Sequence, residues 1–225
     1  MTISYGNTKD LGGSVKMMIH APAGYGKTSL LSTAPSPLVI STEFGLLSLK
    51  KAGLPYVTIQ TMEDLKAIRE MVFTHESFAS FQTVGLDSLT DIAESIVMEY
   101  KKRYKDPRQA YGELNDQLLP ELKKWRGQNQ KHVYITCKQG NLMDGLTGAV
   151  KYSTSMPGKL LPQEMPYWGD ELFTIRIVRD EEGKETRWIQ TQPDIQYDAK
   201  DRSGALDQFE PMNLTEIINK IRSNV

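Results

Sequence analysis

The chain has 225 residues, 39% hydrophobic and 24% charged, with a formal net charge of −1. That balance describes a globular chain able to bury a core. It excludes a chain disordered throughout and any global attraction to nucleic acid, so DNA binding needs local basic patches such as Lys101-Lys-Arg-Tyr-Lys105 and Lys123-Lys-Trp-Arg126. No apolar run nears the roughly 18–20 residues of a membrane span, the first residues lack the basic start and apolar stretch of a secretory leader, and the single Cys137 fits a reducing cytoplasm.

Taken along the chain, residues 15–20 predict a first strand, which ends at a glycine-bearing turn. A short helix should open near Gly26 and stop before Pro35, because proline disfavours helix in the residue ahead of it. Strands are expected at 38–40 and 57–59. Thr61 and Asp64 then have the spacing of a capping box that opens a helix with Leu65, Ile68 and Val72 on one face. Residues 83–87 predict a further strand, and Ile92, Ile96, Val97 and Tyr100 a helix after it. Leu114, Leu118, Leu122 and Trp125 mark a second helix, with a kink or break expected at Pro120. Residues 132–137 predict a strand ending at Cys137, which reads as a small buried hydrophobe. The stretch 139–168, rich in glycine and proline, reads as one long functional loop. Two strands at 172–178 and 186–191, joined through Asp180-Glu-Glu-Gly183, predict a hairpin. Leu214, Ile217, Ile218 and Ile221 predict a last helix. Strands alternating with helices, then a hairpin, predict a single α/β domain over residues 1–225. It has a mostly parallel central sheet flanked by helices and a C-terminal antiparallel hairpin. The core spans about 13–191 and a terminal segment 192–225.

The turn after the first strand carries the most specific signal. Ala21, Pro22, Ala23, Gly24, Tyr25, Gly26, Lys27 and Thr28, with Ser29 beyond, fit a phosphate loop. Its small residues let backbone N–H groups turn inward around a β-phosphate. The Lys27 ammonium can reach the β- and γ-phosphates, and the Thr28 hydroxyl can ligate Mg²⁺. ATP and Mg²⁺ are therefore the expected cofactors. Asp87 ends a mostly apolar strand, where a carboxylate can hold the metal opposite Thr28. Glu43 ends the strand after the phosphate-loop helix, where a carboxylate can orient and deprotonate water.

Together, the phosphate loop, the Ile40-Ser-Thr-Glu43 strand end and the Leu86-Asp-Ser88 strand end resemble a RecA-like P-loop ATPase core, in that family's order. Lys200-Asp-Arg202-Ser-Gly204 is similar to the Lys-x-Arg segment of RadA- and DnaB-type relatives. More closely, Met156-Pro-Gly-Lys-Leu160, Trp188-Ile-Gln-Thr191 and Glu210-Pro211 resemble short phage-encoded RecA-like proteins of single-strand annealing and recombination. The resemblance covers roughly 13–222. It implies an ATPase stimulated by single-stranded DNA, acting as a ring or filament of identical subunits in a host cytoplasm, with a single-strand-binding protein as a candidate partner. It also implies that Lys200 and Arg202 reach the γ-phosphate held by the neighbouring subunit. Two DNA-facing loops follow, one over 101–112 and one over 138–168. Lys102, Arg103, Lys105, Lys151 and Lys159 would meet phosphates, and Tyr104, Tyr152 and Tyr167 would be available to stack on bases. One position departs from the family pattern. Cys137 stands where a Gln or His commonly senses the γ-phosphate, which leaves that part to Lys138 or Gln139. A ring helicase or translocase, and an ATP-dependent interaction switch without DNA contact, are the alternatives.

Overall fold

The computed structural model describes residues 13–42, 46–143 and 148–224. Strand β1 (Lys16–Ala21) is buried along its whole length, Lys16 and His20 included, as a central strand covered on both faces is. It feeds the phosphate loop and a single helical turn, α1 (Lys27–Leu30), which tightens into a 3₁₀ turn at Leu31–Thr33. Ala34, ahead of Pro35, is already extended. Strands β2 (Pro37–Ser41) and β3 (Tyr56–Thr58) follow. Helix α2 (Met62–Thr74) opens with the expected capping box: Asp64 N–H donates to Thr61 Oγ1 at 3.1 Å and Thr61 N–H donates back to Asp64 Oδ2 at 2.9 Å.

Strand β4 (Thr83–Leu86) contains Gly85 for a packing reason. A Cβ built there would lie 2.2 Å from Leu31 Cδ2, so the glycine lets the phosphate-loop helix seat directly on the sheet. Helix α3 (Leu89–Lys101) is capped by Ser88. Helix α4 (Pro107–Arg126) is capped by Asp106 with proline in its first turn. Strand β5 (His132–Met143) pairs with β6 (Val150–Ser155) as a hairpin. Helix α5 (Leu161–Trp168) leads to strands β7 (Glu171–Arg179), β8 (Glu185–Gln190), β9 (Lys200–Asp201) and β10 (Phe209–Pro211), and α6 (Leu214–Asn224) closes the chain.

Among the described residues these strands make one ten-stranded sheet in the order β10-β8-β7-β1-β5-β4-β2-β3, with β6 on β5 and β9 on β7. The run from β7 to β3 is parallel, and β6, β8, β9 and β10 are antiparallel additions. Successive side chains alternate faces. Met18, Ile40, Leu86 and Ile135 pack under α2–α5, while Met17, Ile19, Val39, Tyr134 and Phe173 pack against α1 and α6. This is the P-loop fold the sequence predicts.

Three local expectations change. Helix α4 runs through Pro120 unbroken. Pro120 and Asp116, whose carbonyl loses its i→i+4 donor, both face solvent, so water can satisfy the freed carbonyl. The expected loop over 101–112 shrinks to a short connection, because α4 begins at Pro107. The expected loop over 138–168 is mostly ordered as the β5–β6 hairpin and α5, with residues 144–147 outside the described part.

Candidate functional site

Strand order decides where the chemistry collects. Because β5 lies between β1 and β4, the ends of all three strands meet at one rim of the sheet. Residues Ala23, Gly24, Lys27, Thr28, Ser41, Asp87, Ser88, Asp91, Thr136 and Lys138 line a single pocket there. The Thr28 hydroxyl donates to the Asp87 carboxylate, 3.0 and 2.9 Å from its two oxygens, and Thr136 Oγ1 on β5 donates to Asp87 Oδ1 at 2.6 Å. Burial raises the Asp87 pKa, and the Thr136 and Thr28 hydroxyls oppose the rise. Lys27 Nζ donates to the carbonyls of Ala21 at 2.6 Å and Pro22 at 3.0 Å, so the ammonium folds back over the loop. Burial lowers its pKa. Tyr134 OH donates to the Lys27 carbonyl at 2.9 Å, pinning the first turn of α1 to the middle strand. Gly24 and Gly26 have φ of 79° and 102°, backbone positions that favour glycine.

These donors fit a hydrated divalent cation. A buried carboxylate beside a hydroxyl, within reach of one lysine, is an oxygen set suited to Mg²⁺ held partly through water. The structure thus brings Lys27, Thr28 and Asp87 together. Glu43 lies outside the described residues, although β2 ends at the pocket with Ser41.

Two pocket residues have no motif to announce them as a pair. Lys138 Nζ bridges Asp91 at 2.6 Å and Glu94 at 2.7 Å, and Asp91 also accepts from Ser88 Oγ. Lys138 is one of the two residues expected in the sensor part, and Asp91 is signalled only by standing four residues past Asp87. Cys137, beside Lys138, is fully buried, and burial pushes its thiol up to about 12, as suits a core residue rather than a reactive one.

The Lys-x-Arg segment sits elsewhere. Lys200 and Asp201 pair with Leu172 and Glu171, and Glu171 is in register with Met17 of β1. Ala21 lies four residues further along, about 13 Å at the rise of a strand. Lys200 and Arg202 are therefore at the opposite rim from their own phosphate loop. Lys200 Nζ donates to the carbonyls of Pro166 and Gly169, both at 2.8 Å, and so satisfies the end of α5. Arg202 is exposed and, among the described residues, has an ion-pair partner only in Asp170 at 3.9 Å.

Glu171, under this segment, is 1% exposed. Burial first, then the neighbouring Asp201 carboxylate, raises its pKa from 4.5 to about 8. Between those two values the unfolded chain has released this proton and the folded chain has kept it. Stability therefore falls as pH rises from about 4.5 to about 8, then levels. Glu171→Gln is expected to match the parent protein near pH 4.5. Around pH 8.5 it should melt roughly 5 °C higher, read by thermal unfolding across pH.

The residues expected to face DNA are distributed unevenly. Lys102, Arg103 and Lys105 are exposed on the α3–α4 connection, with Arg103 paired to Glu99 and to Glu113 at 3.8 Å. Lys159 is exposed, while Lys151 is bound to Asp198 at 2.6 Å. Of the three tyrosines, Tyr104 packs against the core and Tyr152 stacks on Tyr197 with ring centres 5.1 Å apart. Tyr167 is 70% exposed.

Comparison with known proteins agrees with this geometry: the AAA domain family matches residues 14–203. The chain belongs to that family. The match spans the phosphate loop, Asp87, the β5–β6 hairpin and the Lys-x-Arg segment, and it places the chain among P-loop ATPases, whose shared property is nucleotide-dependent action. No curated protein matches the chain. Among the described residues no helix is long and apolar enough to cross a membrane.

Proposed function

We propose that the chain hydrolyses ATP in this pocket, between copies of itself, and couples hydrolysis to single-stranded DNA. In this reading it is an ATP-dependent recombinase of the short phage-encoded RecA-like type, promoting annealing or strand exchange. Lys27 and the loop amides hold the phosphates, and Thr28 and Asp87 would hold Mg²⁺. When bound, the metal supplies charge neutralisation on the phosphate oxygens. Glu43 is assigned the deprotonation of water, from its place after β2. Arg202, and Lys200 once released from its carbonyls, are assigned to the γ-phosphate of the adjoining copy.

The observation that carries the reading is the junction at Lys138. It is the last residue of β5 in register with β1, opposite Ala21 of the phosphate loop, and the first paired with β6, opposite Ser155. Its backbone N–H donates to Thr90 Oγ1 at 3.0 Å, and that hydroxyl donates to the Ser155 carbonyl at 2.7 Å. A change at the phosphates is thus one residue from the hairpin. A groove of about 350 Å³ runs along the hairpin, edged by Asn141, Thr154 and Lys159. The two basic segments also adjoin. Lys101 Nζ donates to Tyr111 OH at 2.8 Å, and Gly158 lies against the Tyr111 ring, which supports assigning the exposed Lys102, Lys105 and Lys159 to a single-strand backbone.

Turnover measured with and without single-stranded DNA tests this. Several-fold stimulation without duplex unwinding is the expected result. Unwinding points to the ring-motor alternative, and turnover indifferent to DNA to the interaction switch. Absence of magnesium-dependent turnover under every condition overturns the reading.

A further inference from the structure

The phosphate loop has a second flank, turned away from Asp87, and the C-terminal strands wall it. Arg187 of β8 reaches the loop, its Nη1 donating to the Tyr25 carbonyl at 3.3 Å. A Cβ placed on Gly26 would stand 3.2 Å from that same nitrogen and 3.6 Å from Cε of Met212. Pro211 of β10 is in register with Trp188, which puts Met212 beside Arg187 at the end of this strand pair. Tyr25 and Met212 are both partly buried against the core on the α1 and α6 face of the sheet, whereas Arg187 is exposed. Among the described residues Arg187 has no carboxylate partner within ion-pair distance, unlike Arg69, Arg103, Arg176 and Arg179.

The reading of Lys27, Thr28 and Asp87 as a triphosphate site, on which this inference rests, fixes one end of the ligand. The terminal phosphates lie in the pocket with Asp87. The α-phosphate, ribose and base must then leave over the other flank of the loop, across Gly26. There the first groups available are a guanidinium, a thioether and a phenol ring. Arginine offers a planar fork of donors suited to phosphate oxygens, and its single long bond to Tyr25 is cheaply exchanged. Methionine is polarizable and adaptable, suited to the face of a flat heterocycle.

We propose that Arg187 and Met212 form the outer subsite for a purine nucleotide. Arg187 pairs with the α-phosphate, and Met212 with Tyr25 gives the base its apolar surface. Calorimetric titration of the full chain with magnesium ATP, magnesium ADP and inorganic pyrophosphate tests it in the parent protein, Arg187→Ala, Arg187→Lys and Met212→Ala. Arg187→Ala is expected to weaken ATP and ADP alike by about tenfold or more, as removal of one charge-assisted hydrogen bond would, while Arg187→Lys recovers part of it. Met212→Ala should weaken both nucleotides several-fold. Pyrophosphate, which reaches only the inner pocket, should bind all four proteins equally. If pyrophosphate affinity falls in step with ATP, Arg187 merely shapes the loop and the subsite is wrong. Nucleotide affinities unchanged in both alanine variants overturn it as well. A parent protein that binds neither nucleotide nor pyrophosphate removes the phosphate-loop reading and this subsite together.

Discussion

Replacing Lys27 by alanine is expected to weaken magnesium ATP by at least about 100-fold and to cut turnover by roughly a thousandfold. The first figure corresponds to two charge-assisted hydrogen bonds removed together. The second reflects the absence of a positioned charge where the transferred phosphoryl group gathers negative charge. The fold itself should hardly notice. Among the described residues Lys27 Nζ is bonded to the Ala21 and Pro22 carbonyls alone, on a loop whose Ala23 and Gly24 face solvent, so water can replace it. Equal melting temperatures with abolished binding would separate a site effect from a folding effect. Undiminished ATP affinity in Lys27→Ala, measured by calorimetry, would remove the basis for every other assignment at this rim.

That rim is legible from sequence because its parts are local. A buried strand, a small-residue turn and a helical start are contiguous, and Asp87 advertises itself by ending an apolar run. The capping box of α2 and the β7–β8 hairpin, with Asp180 accepting from the N–H groups of Glu182 and Lys184, are legible for the same reason. Strand order is not. That β5 stands between β1 and β4, and so delivers Thr136 to Asp87, is fixed by long crossovers that no short window contains. The hairpin arm of β5 reads as loop because Lys138-Gln-Gly-Asn141 mixes polar residues with glycine. Its strand state depends on pairing with β6. Arg187 and Met212 carry no signal at all. They meet the loop through the register of β8 with β10, 162 residues after Tyr25 in the case of Arg187.

Mixing inactive subunits should restore activity if the site is shared. Lys27→Ala keeps an intact Arg202, and Arg202→Ala keeps an intact pocket, so a head-to-tail assembly of both contains interfaces where the two intact halves meet. With random placement at equal amounts, about a quarter of the interfaces are whole, and about a quarter of parental turnover is expected. Each variant alone should fall by roughly 10³-fold, the lower end for removal of an arginine finger. Arg202 is the better probe than Lys200. Its side chain is exposed and pairs with Asp170 at 3.9 Å, a pairing worth little at a surface. Lys200, by contrast, closes two carbonyls at the end of α5, and Lys200→Ala should lower stability as well as turnover. The placement of Arg202 just past Asp201, whose register position is about 13 Å down the sheet from Ala21, is what demands a neighbour. Turnover of the mixture no greater than the sum of the two variants, with subunit exchange verified by sedimentation, would leave Arg202 without a phosphate to reach.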